Sequence, residues 1–295
     1  METHGQLMRR AALLSLGVSL LLVAIKLATY LYTNSVAMLA TFADSAMDLF
    51  TATINIVAIR SALQPADEEH RFGHGKAEPL AGMAQFAFIA GSAVFLVIQG
   101  VQRFFKPEPV DHPLAALIVM AISIAGAGLV ILYQRYVIAK TGSIAIRADA
   151  AQFVGDLASS IGVVVAIVLL LAFGWTRADP LIALFVAAVL VWNGWGVFRQ
   201  SYDQLMDREL PDEDRERIKA IVHGHKDVLS LHELRTRASG VNSFIQLHIE
   251  LAPEMTLMRA HAISDEVEDE IRKAFPQAEV IIHQDPAGLE TAPSE

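Results

Sequence analysis

The chain has no cysteine among its 295 residues, which excludes disulfides, thiolate metal sites and cysteine nucleophiles. It also lacks a nucleophile motif and a glycine-rich phosphate loop, so no enzymatic chemistry is expected. Nor is there a basic excess, since the formal net charge is -9. That charge is unevenly placed. Residues 1–206 carry 13 basic and 13 acidic side chains, whereas residues 207–295 carry 10 basic and 19 acidic. An acidic tail on a neutral body argues against nucleic acid as a partner and suggests a soluble domain joined to a hydrophobic one.

The hydrophobic part is extensive, with 54% of all residues apolar. Six apolar segments approach bilayer length, near 11–33, 36–60, 80–104, 114–136, 146–173 and 179–201. The first follows two arginines but is not succeeded by a small-residue cleavage site, so it reads as a span rather than a removable signal. Lys26 falls in its second half and is expected to snorkel to the outer interface. Basic residues set the orientation. Arg9 and Arg10 precede the first span. Arg60, Arg71 and Lys76 mark the loop at 61–79, and Arg135, Lys140 and Arg147 mark the one at 137–145. The opposite side has only Arg103, Lys106 and Arg177, so both termini are expected in the cytoplasm.

After Leu210 the pattern changes. "PDEDRERIKAIVHGH" opens with a proline and acids and has apolar residues at helical spacing. "HELRTRASG" and "VNSFIQLHIEL" read as strands joined near Ser239 and Gly240. "TLMRAHAISDEVEDEIRKAF" reads as an amphipathic helix and "AEVIIHQDP" as a last strand. The expected architecture is a membrane domain of six transmembrane helices over residues 1–206, with a small α/β domain of order αββαβ over 207–290. Residues 291–295 are expected to be a disordered tail.

Polar residues interrupt the spans in a regular way. Asp44, Asp48, Thr51 and Asn55 follow helical spacing in the second span, and Asp149, Gln152 and Asp156 do so in the fifth. A hydrogen-bonded seam is the plain alternative, but two carboxylates four residues apart repel each other and are costly in a membrane. If the two spans face each other, Asp44, Asp48, Gln152 and Asp156 surround one divalent cation with oxygen ligands. The loop "QPADEEHRFGHGKAEP" adds Asp67, His70 and His74, a set suited to zinc or ferrous iron. Six of the ten histidines lie in the tail. His283 and Asp285 share a strand face, His232 and His248 lie on the other strands, and His261 near a helix start. Together they favour a metal cluster, while His223 and His225 near a helix end read as solvated.

On "LQPADEEHRFGHGKAEPLAG", "DRELPDE", "LRTRASG" and "VIIHQDP", the chain resembles the cation diffusion facilitator family, and within it the bacterial zinc and ferrous-iron efflux type. The resemblance spans nearly the whole chain. It implies a homodimer in a bacterial inner membrane, with a cytoplasmic metallochaperone-like domain. It also implies exchange of a divalent metal for protons by alternating access. By position it implies a transport site at Asp44, Asp48, residue 152 and Asp156, a loop site at Asp67, His70 and His74, and a binuclear cytoplasmic site at His232, His248, His261, His283 and Asp285. A charge interlock near the dimer centre falls on Lys76 and Asp207.

One position departs from the pattern, because relatives usually have His where this chain has Gln152. The amide supplies a neutral oxygen and no titrating proton, so proton exchange falls on the carboxylates and selectivity is expected to shift from zinc toward manganese or ferrous iron. Two other readings remain open: a passive divalent-metal channel, and a membrane-anchored metal sensor.

Overall fold

A computed structural model describes residues 3–33, 36–105, 113–175 and 177–288. The chain divides into two compact units between Tyr202 and Asp203. The first holds six helices: α1 (His4–Thr33), α2 (Val36–Ala62), α3 (Ala77–Phe105), α4 (Pro113–Thr141), α5 (Ile144–Phe173) and α6 (Ala178–Leu205). All six are long and apolar enough to cross a membrane. Each extends past the apolar stretch seen in sequence, furthest in α1, where the polar turns from His4 to Arg10 continue the helix without contributing hydrophobicity. Large apolar side chains such as Leu20, Phe95, Leu132, Phe185 and Trp192 are exposed on the helix surfaces, as expected where lipid is the solvent.

Packing explains how polar residues from distant spans can meet. α1 packs on α2, α4 and α5, α5 also packs on α2 and α4, and α3 packs on α2 and α5. α6 joins through a cluster of Ile89 and Ala93 from α3, Ala148 and Ala151 from α5, and Val186 and Leu190 of its own. Gly155 on α5 lies against Leu190, and a Cβ there would collide with that side chain. The α4–α5 turn is tight. Gly142 closes α4 at φ 65°, and the Ser143 hydroxyl caps α5 by accepting from the Ile146 amide at 3.3 Å. The same hydroxyl donates to the buried Glu78 carboxylate of α3 at 2.8 Å, tying a third helix to that turn.

The second unit has α7 (Asp212–His223), β1 (Ser230–Ser239), β2 (Asn242–Leu251), α8 (Leu257–Ala274) and β3 (Ala278–Pro286). This is the expected order. Three acids in the first turn of α7 suit its positive end, and Thr256 caps α8 by accepting from the Arg259 amide. The sheet runs β1-β2-β3, with β1–β2 antiparallel and β2–β3 parallel. Alternation along β2 points Ile245, Leu247, Ile249 and Leu251 at Ile218 and Val222 of α7 and Ile263, Val267 and Ile271 of α8. The opposite sheet face is thereby left for polar side chains.

His225 is not a solvated residue, as its sequence context suggested. Its side chain is largely buried and its Nε2 lies 2.9 Å from Glu266 of α8. Arg259 bonds both Glu266 and Asp227. The hydrogen bond with His225, aided by the charge of Arg259, holds Glu266 below its ordinary value. A depressed carboxylate stabilises the fold above its unfolded-state pKa of about 4.3, and that contribution disappears as pH falls through the folded value. Glu266→Gln should therefore melt the 207–295 fragment earlier than the parent at neutral pH, with the gap closing in acid. Thermal melts across pH would speak against this clamp if the gap did not change.

Candidate metal sites

Three groups among the described residues place at least three ligand atoms within 4.8 Å of one another: Asp44, Asp48 and Asp156; Asp67, His70 and His74; and His232, His248 and Asp285. In the first, α2 contributes two carboxylates from consecutive turns of one face, and α5 packs against it to bring the third. Gln152 joins them by donating from Nε2 to Asp48 Oδ1 at 2.8 Å. Its amide thus orients a carboxylate here, and a half-turn about the last side-chain bond would present its oxygen instead. Further along the α2 stripe, Thr51 and Asn55 are buried.

Two residues near this group depart from expectation. Asp149 shares the stripe spacing but is turned to α4, where Gln134 Nε2 donates to it at 2.6 Å. Lys26 does not snorkel. It is buried, at 7% exposure, and donates to Ser45 Oγ at 2.6 Å. Its ammonium is directed inward to that hydroxyl instead of outward to the interface.

The loop group is a compact turn before α3. Asp67 Oδ1 accepts from the Glu69 and His70 amides at 3.0 and 2.7 Å, and its carboxylate lies 3.5 and 3.3 Å from the His70 and His74 rings. The backbone bond from His70 is the main reason that Asp67 is held below the usual carboxylate range. Charge and ligand atoms therefore sit together on an exposed surface.

The tail group follows from strand register. His232 pairs with His248 across β1–β2, and His248 with His283 across β2–β3, giving one rung of three histidines on the face away from the helices. Asp285 Oδ2 lies 2.9 Å from His248 and 3.3 Å from His232, and its Oδ1 lies 3.3 Å from His283. Burial pushes Asp285 up, but the hydrogen bond with His248 and the three imidazoles outweigh it and leave it below its ordinary value. His261 is not brought to this rung. It lies exposed on α8, which packs on the other face through Ile263 and Val267, and it pairs with Asp265 at 3.6 Å.

Glu233 escaped the sequence reading. The register slips between His232 and Arg235, Glu233 has φ 48°, and its carboxylate reaches to 4.0 Å from His248. No glycine marks that bulge. Of the two interlock residues, Lys76 lies in the turn before α3 and Asp207, at φ 53°, lies 3.4 Å from Arg237.

A membrane unit with grouped carboxylates, joined to a small α/β unit with grouped histidines, defines a class: membrane transporters of cations with an appended metal-binding domain. Family models agree. One for the cation efflux transmembrane domain matches residues 12–206, and one for the cation efflux protein, cytoplasmic domain, matches residues 210–287. The chain belongs to the cation efflux family, also called the cation diffusion facilitators, and is a multi-pass membrane protein.

Curated relatives named "Cation-efflux pump FieF" match it almost end to end. The Citrobacter koseri protein is 40% identical over 288 residues, covering 98% of this chain and 96% of the relative. The Cronobacter sakazakii protein is 42% identical over 289 residues, covering 97% and 95%. The Escherichia coli O139:H28 protein is 38% identical over 288 residues, covering 98% and 96%. All three are named as pumps and none as an enzyme, in line with the expected lack of enzymatic chemistry.

Proposed function

We propose that this protein is a proton-coupled antiporter that exports divalent transition-metal cations from the cytoplasm. The supporting observation is the convergence of Asp44, Asp48 and Asp156 from two facing membrane helices within 4.8 Å. Carboxylates so close repel each other, and the arrangement becomes favourable when a divalent ion or protons neutralise it. Either occupant satisfies the site, which is the chemical requirement for exchange. Because α2 and α5 each supply ligands, a shift of one helix against the other opens the site to either side. The basic residues at the span ends support cytoplasmic termini. The relatives' naming as efflux pumps supports export.

The protein works in this reading as a homodimer in the lipid bilayer. His232, His248, His283 and Asp285 bind regulatory zinc or ferrous iron, with His261 joining only after α8 rearranges. Asp67, His70 and His74 hold an ion near the membrane surface. Counterflow in proteoliposomes tests the central statement: a pH gradient should drive uptake of zinc, ferrous iron or manganese. Uptake indifferent to the gradient would favour a passive channel. A sensor would keep its signal without Asp44 and Asp48.

Position 152 bears on selectivity. An all-oxygen site favours harder ions than one with an imidazole. Gln152→His should raise the preference for zinc over manganese by roughly tenfold and change the protons moved per ion. Parallel flux assays with both metals check this, and an unchanged ratio would make position 152 a bystander.

A further inference from the structure

Lys26 is the one cation buried among the membrane helices of the described residues. A lysine in that setting is costly unless its charge is answered. One hydroxyl, Ser45 Oγ at 2.6 Å, does not repay the loss of hydration of an ammonium. Ser45 directly follows Asp44 on α2, and α1 packs against both α2 and α5.

From this placement we propose that Lys26 is a fixed counter-ion of the carboxylate site, tethered by Ser45, which limits how tightly the transported ion is held. The inference rests on the transport-site reading above. Three ionised carboxylates, one ammonium and one divalent ion sum to zero. A neutral loaded site is the favourable state in a medium of low dielectric. Once the protons have left, the site presents the ion with a charge equal and opposite to its own rather than an excess. Without Lys26 the site over-attracts the ion, binding tightens and release slows. Lys26 is thus a positioning residue that acts through charge and not as a ligand.

The test measures zinc flux through the full chain in proteoliposomes and separates KM from kcat. Lys26→Gln keeps a polar group beside Ser45 but removes the charge. It should lower KM by about tenfold or more and lower kcat with it, as loss of one unit charge near a divalent ion requires. Lys26→Arg keeps the charge and should stay within about threefold of the parent in both. Ser45→Ala removes the tether alone and should shift KM far less than Lys26→Gln. An unchanged or raised KM in Lys26→Gln overturns the proposal, and so does a Ser45→Ala variant that reproduces Lys26→Gln. Should Lys26→Gln fail to assemble, Lys26→Arg decides: parent-like values support the counter-ion, and a tenfold shift of KM overturns it. Asp48→Ala run alongside keeps the two ideas apart. Parent-like flux in that variant removes the transport site itself, whereas loss of flux there with an unmoved Lys26→Gln removes only the counter-ion.

Discussion

Asp48→Ala should abolish metal flux in proteoliposomes while leaving the protein folded and in the oligomeric state of the parent. Asp48 is the middle member of its group, sharing a helix face with Asp44, accepting from Gln152 at 2.8 Å and meeting Asp156 from α5. Removing it takes away a ligand and also the group that Gln152 orients. Stability should not suffer, because an ionised carboxylate among like charges in a membrane is a burden to the fold. Size-exclusion profiles and melting temperatures close to the parent, with flux at background, form the expected pair. Asp156→Asn should behave in the same way, since its amide preserves shape without the charge. Parent-like transport by Asp48→Ala would remove the central claim.

Zinc should raise the melting temperature of the 207–295 fragment markedly. This unit has its own core, in which Ile218, Leu247, Ile263 and Ile271 are fully buried, so it is expected to fold alone. Ligands spread over three strands are assembled only when the sheet is formed, so binding energy adds to folding energy. At about one hundred times the dissociation constant the gain is roughly 2.7 kcal/mol, which for a domain of this size is on the order of 10 °C. His232→Ala or Asp285→Ala should remove most of that response, whereas His261→Ala should remove little of it. Flux that depends on Asp48 should survive in all three at saturating metal. A melting curve unmoved by zinc or ferrous iron would remove the regulatory role of the tail.

Legibility varied with the range of the interaction responsible. The tail strands and helices stand in the sequence almost residue by residue, because alternation, an acidic helix start and Ser239-Gly240 are all local signals. The pairing of Asp44 and Asp48 was equally legible as a helix face. What depended on a partner elsewhere was not. Spacing assigns a side chain to a face but not to a neighbour, so Asp149 was grouped with Gln152 when Gln134 of α4 takes it. Hydropathy treats a lysine late in a span as an end residue, and nothing near Lys26 announces Ser45, 19 positions further on. The bulge at Glu233 has no glycine to mark it, and His225 meets Glu266 only because α7 and α8 lie side by side.

The histidine rung across β1, β2 and β3 has a consequence of another kind. Its members come from three strands at one level, and β3 reaches its place only after the chain has crossed over through α8. A slip of one residue in either pairing would turn a histidine to the opposite face of the sheet. An ion bound there would therefore act as a proofreader of strand alignment. It would favour the correctly threaded domain over its shifted alternatives during assembly, before any cargo has been moved.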